Sequence, residues 1–160
     1  MKNIFLFIVL FLVVIGYSKS DALRITISLT EGEHSKDSWS SETNISIDGS
    51  EIAYTKTYSG HRGTNQKDVS KTCTFTDQQM SDIQNYIKDK NLMRSDSLID
   101  NEEKYKSFER FVNLSMFLAM WERISKINVN GDVSNLEDKD LYKNCYGLID
   151  LITTYLDTCN

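Results

Sequence analysis

An α+β domain is the expectation for this chain: an antiparallel β-sheet with two α-helices packed on one face, in the order β-β-β-β-α-β-β-α. Three observations predict it. Apolar and polar residues alternate in "ALRITISLT", the pair Asp48-Gly49 separates two alternating arms, and the period lengthens from two to nearly four at Thr76.

The alternation of Leu23, Ile25, Ile27 and Leu29 reads as a half-buried first strand. A polar stretch follows, giving a connection over 31–42. In "TNISIDGSEIAYTKTY", Asp48-Gly49 is the strongest short-range hairpin signal in the chain. Ile45 and Ile47 share one face of the first arm, and Ile52, Tyr54, Lys56 and Tyr58 share a face of the second. After a connection over 59–68, "SKTCTFT" reads as a fourth strand. Thr76-Asp77-Gln78-Gln79 is a capping box, and Met80, Ile83 and Ile87 then recur at helical spacing until Asn91. "MRSDSLIDNEEKYK" reads as a polar, acidic connection.

"FERFVNLSMFLAMW" alternates from Val112 to Met120 as a strand would, yet it is apolar enough for a buried helix over 108–121. The following "ERISKINVNG" looks like a returning strand that ends at Asn130-Gly131, with Trp121-Glu122-Arg123 making the turn. This favours two strands, with the helix as the alternative. A second capping box, Ser134-Asn135-Leu136-Glu137, opens a last helix with Leu141, Cys145, Leu148, Ile152 and Tyr155 on one face.

Ahead of the domain stands a leader. Lys2 precedes the apolar run Ile4–Ile15 and the small-residue exit "GYSKS", the pattern of a secretory signal peptide. The run is shorter than the ~20 apolar residues a spanning helix needs. Cleavage after Ser20, or after Ser18, leaves one domain over 21–160 that is secreted or periplasmic, with no stable membrane insertion. The leader carries Lys2 and Lys19, so the remaining charge is 16 − 23 = −7. An acidic surface repels phosphate backbones and argues against nucleic acid.

Order and motifs resemble, across much of the domain, small exported bacterial proteins and emfourin, a proteinaceous inhibitor of thermolysin-like metallopeptidases. The stretches that carry this are "ISIDGSEIAYTKT", "FTDQQMSDIQNYI" and "INVNG" ahead of the final helix. The resemblance implies inhibition of an enzyme outside the cytoplasm. The longer connections here depart from that compact pattern, and no functional residue is carried over.

"YSGHRGTNQ" sets His61 and Arg62 between glycines, but it leads into a strand and not a helix, so no helix amino terminus faces it as a phosphate cradle requires. No G-x-S-x-G or H-E-x-x-H is present, and no catalytic residue is assigned. The acidic groups Asp96, Asp100, Glu102, Glu103 and Asn130, Asp132, Glu137, Asp138 lack the ligand spacing of an EF-hand, so neither a metal nor a cofactor is expected. Aromatic positions read as core, except Trp39 among serines and charges.

A meander of the first four strands brings connections 31–42 and 59–68 to one end of the sheet. The candidate binding residues are therefore His34, Trp39, His61 and Arg62, in a non-enzymatic module whose partner is an extracytoplasmic protein. A small hydrolase using His61 and an envelope structural protein without a discrete site are the alternatives. Of the three cysteines, Cys145 and Cys159 are separated by about 21 Å of helix at 1.5 Å per residue, too far for a bridge. Cys145 falls on the core face, where a free thiol packs as a small hydrophobe. Cys73–Cys159 is the favoured disulfide, over Cys73–Cys145.

Overall fold

The computed structural model describes residues 23–33, 38–60, 66–94, 110–132 and 139–159, and the backbone of 97–99. The order is β1 (Arg24–Glu33), β2 (Trp39–Asp48), β3 (Glu51–Gly60), β4 (Val69–Thr74), α1 (Asp77–Asp89), β5 (Ser97–Ile99), β6 (Arg110–Met120), β7 (Arg123–Asp132) and α2 (Lys139–Thr158). The six longer strands form an antiparallel sheet in the α+β order expected, and β5 adds a short parallel partner to β7. Across the sheet the sequence is β4-β3-β2-β1-β6-β7-β5.

Alternation decides which face is buried. Ile25, Ile27 and Leu29 of β1 lie beside Ile45 and Ile47 of β2 and Leu114, Met116 and Leu118 of β6, all at most 2% exposed. Their neighbours Thr26, Ser46 and Ser115 point to solvent. Ile83 and Ile87 of α1 and Leu141, Leu148 and Ile152 of α2 join the same core. Fully burying such a side chain contributes about 1.5–3 kcal/mol.

Local chemistry sets the boundaries. Gly49 turns the first hairpin at φ 63°, where a side chain is strained. Thr76 caps α1 in both senses of the box: its hydroxyl accepts from the Gln79 amide, and its own amide donates to Gln79 Oε1 at 2.8 Å. Asn91 follows the helix at φ 51°, the left-handed position that ends many helices. Segment 110–132 is a hairpin, and the helix alternative is excluded. Trp121 and Glu122 form its turn at φ 50° and 60°, the pair of left-handed residues a tight hairpin requires.

Several boundaries differ from the sequence reading. β1 continues to Glu33 and β2 starts at Trp39, so the connection is 34–38 and not 31–42. β3 includes Ser59 and Gly60, and β7 continues to Asp132. Each extension lies beside a neighbouring strand that supplies backbone partners, so polar residues stay in the ladder. The presumed loop after α1 contains β5. The second capping box lies outside the described residues, as does the leader.

Cys73 and Cys159 are joined in a disulfide with Cα atoms 6.2 Å apart, so the end of α2 is clipped to β4. Cys145 stays outside the bridge and is fully buried. Lys71 reinforces the clip, donating to Asp157 Oδ1 at 2.9 Å. Between the helices, Tyr155 donates to Asp82 at 2.8 Å and Tyr86 to the Asn144 carbonyl at 3.1 Å.

Candidate functional site

The two ends of the sheet are built differently. At one, Gly49-Ser50 and Trp121-Glu122 close tight hairpins. At the other, registers align Glu33 with Trp39 and Arg110, Trp39 with Gly60, and Phe111 with Asp132. Connections 34–38, 61–68, 100–109 and 133–138 all depart from or arrive at this loop end. The strand ends that bound the two early connections, Glu33, Trp39 and Gly60, therefore share one end of the sheet. His34, His61 and Arg62 lie in those connections, outside the described residues.

Trp39 is not a loop residue. It opens β2, is half-buried, and donates from its indole nitrogen to Glu33 Oε2 at 3.2 Å. Gly60 lies opposite at φ 91°, and a Cβ there would collide with the backbone of Ser38 and Trp39. Glycine thus lets β2 and β3 close tightly beside the tryptophan. Ser40 and Ser59 share a hydroxyl hydrogen bond of 2.5 Å across the same strands. A depression of about 190 Å³ opens here, lined by Glu33, Ser38, Trp39, Ser40, Gly60 and Phe111.

Toward the loop end the core-side face changes character. β1 passes from Leu29 to Glu31 and Glu33, β2 from Ile45 to Thr43 and Ser41, and β3 from Ile52 to Tyr54, Lys56 and Tyr58. The first turns of α2 bring Tyr142 and Tyr146, ring centroids 5.9 Å apart, over this region. Trp39 and all four tyrosines are half-buried. The tyrosines were expected in the core, and the sequence signal that places them here is their parity with Ile52 and their spacing on α2.

Electrostatics ties the group together. Burial pushes the Tyr142 hydroxyl up to about 12; Glu31 and Tyr146 add to the shift, and Arg110 opposes it. Tyr146 is raised by burial first, then by Glu31, Asp150 and Tyr54. Burial and the neighbouring Tyr58 raise Tyr54 as well. These phenols remain neutral donors across the physiological range. Lys56 Nζ stands 5.4 Å from the Tyr58 ring centroid, in cation–π range. Ser41 Oγ is buried with no hydrogen-bond partner, a costly arrangement in an ordinary core.

The arrangement offers large amphipathic rings, balanced charge and fixed backbone. Among the described residues, no group of three potential ligands is placed to hold a metal. No family model matches the chain, and no curated protein is similar to it.

Proposed function

We propose that this chain is an exported, non-enzymatic binding module that engages an extracytoplasmic protein through the loop end of its sheet. In the specific form favoured by the resemblance to emfourin, the partner is an enzyme that the module inhibits. The observation that carries the reading is the cluster of five half-buried aromatics, Trp39, Tyr54, Tyr58, Tyr142 and Tyr146, around Glu31 and Glu33. Tyrosine and tryptophan dominate binding hot spots because they bury large area and keep a polar tip. Binding residues also concentrate on connections held by a rigid scaffold, and the strand ends that bound four connections lie at this end.

Export is supported by the leader at Lys2 and Ile4–Ile15 and by the Cys73–Cys159 bridge, which suits an oxidising compartment. The test is affinity capture from the native extracytoplasmic fraction with the immobilised protein, compared with Trp39→Ala and Tyr58→Ala. A partner retained by the native protein and lost from both folded variants supports the module. Equal retention by the variants moves the interface away from the loop end.

A further inference from the structure

The sheet face turned away from the core carries a second surface, independent of the loop end. Cross-strand registers lay it out in rows. One row runs Thr72, Ala53, Ser46, Thr26, Phe117, Lys126 from β4 to β7. The next, from Ser70 on β4 to Asn128 on β7, holds only Ser, Thr and Asn. Lys126 is the single charge in the two rows, in a chain of which 26% is charged.

Strand propensity does not account for this composition. Threonine is a favoured strand residue, but asparagine is depleted in strands and serine is not among the favoured types. Solubility does not account for it either, since that is ordinarily supplied by Lys, Arg, Glu and Asp. A protein partner fits poorly, because interfaces are enriched in aromatics, Met and Arg and depleted in Ser. What the face offers is hydroxyls and carboxamides, each both donor and acceptor. They recur across the sheet at the strand spacing of about 4.8 Å. A regular, uncharged lattice of dual donors and acceptors complements an extended, uncharged polymer of hydroxyls.

The face also has relief. At the corner of β2, β3 and β4 a depression of about 370 Å³ is bounded by Ser46, Asp48, Glu51, Ala53, Thr72 and Thr74. Arg24 Nε donates to Asp48 Oδ1 at 3.1 Å, which leaves Asp48 Oδ2 and the Glu51 carboxylate to accept from vicinal hydroxyls. In the same row as Ser46, two strands on and so about 10 Å away, half-buried Phe117 offers a ring for the C–H face of a sugar.

We propose that this outer face binds a neutral polysaccharide, laid across the strands from the β2–β4 depression to Phe117. The sequons Asn44-Ile45-Ser46 and Asn113-Leu114-Ser115 fall on the same face, so the protein for the test is produced without N-glycosylation. It is run in affinity gels containing dextran, mannan or β-1,3-glucan, sedimented with cellulose, and run with alginate as the anionic control. Retardation or sedimentation by at least one neutral polymer is expected. It should weaken at least tenfold in Phe117→Ala and in either Thr55→Glu or Ser115→Glu, whose folding is checked by thermal melts. Trp39→Ala, at the separate loop-end surface, should bind the polymer as the native protein does. No interaction with any of the four neutral polymers, retention by alginate alone, or equal binding by the folded charge-insertion variants overturns the proposal.

Discussion

Breaking the Cys73–Cys159 bridge should cost this domain several kcal/mol, and the structure sets the scale. The bond closes a loop of 86 residues. Loop-closure entropy for that length is about 15 cal/mol/K, or about 4.6 kcal/mol at 25 °C. Measured losses usually fall below this figure, because unfolded chains keep some structure, so about 2–4 kcal/mol is expected. Other contacts at the clip cannot replace it. The Lys71–Asp157 pair has side chains 41% and 80% exposed, and exposed pairs contribute little. Phe75 and Tyr155 meet edge to face at 5.9 Å, which adds about 1 kcal/mol. For a domain of this size the melting temperature should fall by about 7–14 °C. Urea unfolding of Cys73→Ala, Cys159→Ala and the double variant, all on a Cys145→Ala background, is the assay. The three losses should be equal, since each removes the same bond. Additive losses, or a loss below about 0.5 kcal/mol, would refute the entropic account.

Three further outcomes follow from packing and backbone geometry. Gly147→Ala, despite a helix-propensity gain of about 1 kcal/mol, should destabilise the domain, because the new Cβ would collide with the Tyr86 hydroxyl. On a Tyr86→Phe background the sign should reverse, as denaturant titration of the four-variant cycle can check. Replacing Trp121-Glu122 by Asn-Gly should stabilise the hairpin by roughly 1 kcal/mol or more, since both residues hold left-handed angles; an unchanged urea midpoint would contradict this. Tyr142, raised to about 12, stays protonated in the fold at pH values where the unfolded chain ionises. Its contribution is therefore complete below about pH 10 and lost as pH rises toward 12. Stability should fall over that window, less steeply in Tyr142→Phe.

Local signals made much of the fold legible. Asp48-Gly49 marked the first hairpin, although its turn is Gly49-Ser50, one residue on, with Asp48 paired to Glu51 in the ladder. Thr76 with Gln79 marked a helix start, and both signals act within a few residues. The bridge was legible because helix rise excluded one pairing and burial disfavoured another. Strand ends were not. Glu31 and Glu33 remain in β1 because β2 and β6 flank them on both sides, a non-local condition that polar identity conceals. β5 was missed for the same reason, since "SLI" becomes a strand only by pairing with Ile127–Val129. The candidate site was half legible. Trp39 drew notice by standing among polar residues, whereas Tyr54 and Tyr58 looked like core because they share parity with Ile52. Only the position of α2 decides how far along β3 the core extends.

Site-specific photo-crosslinking tests the central claim most directly. A photoreactive residue replaces Tyr58 at the loop end or Ile124, 61% exposed, at the opposite end. Both proteins are irradiated in the native extracytoplasmic fraction. A discrete protein adduct from position 58 and none from position 124 is the predicted result. An adduct from position 124 with none from position 58 would contradict the assignment of the loop end as the binding surface.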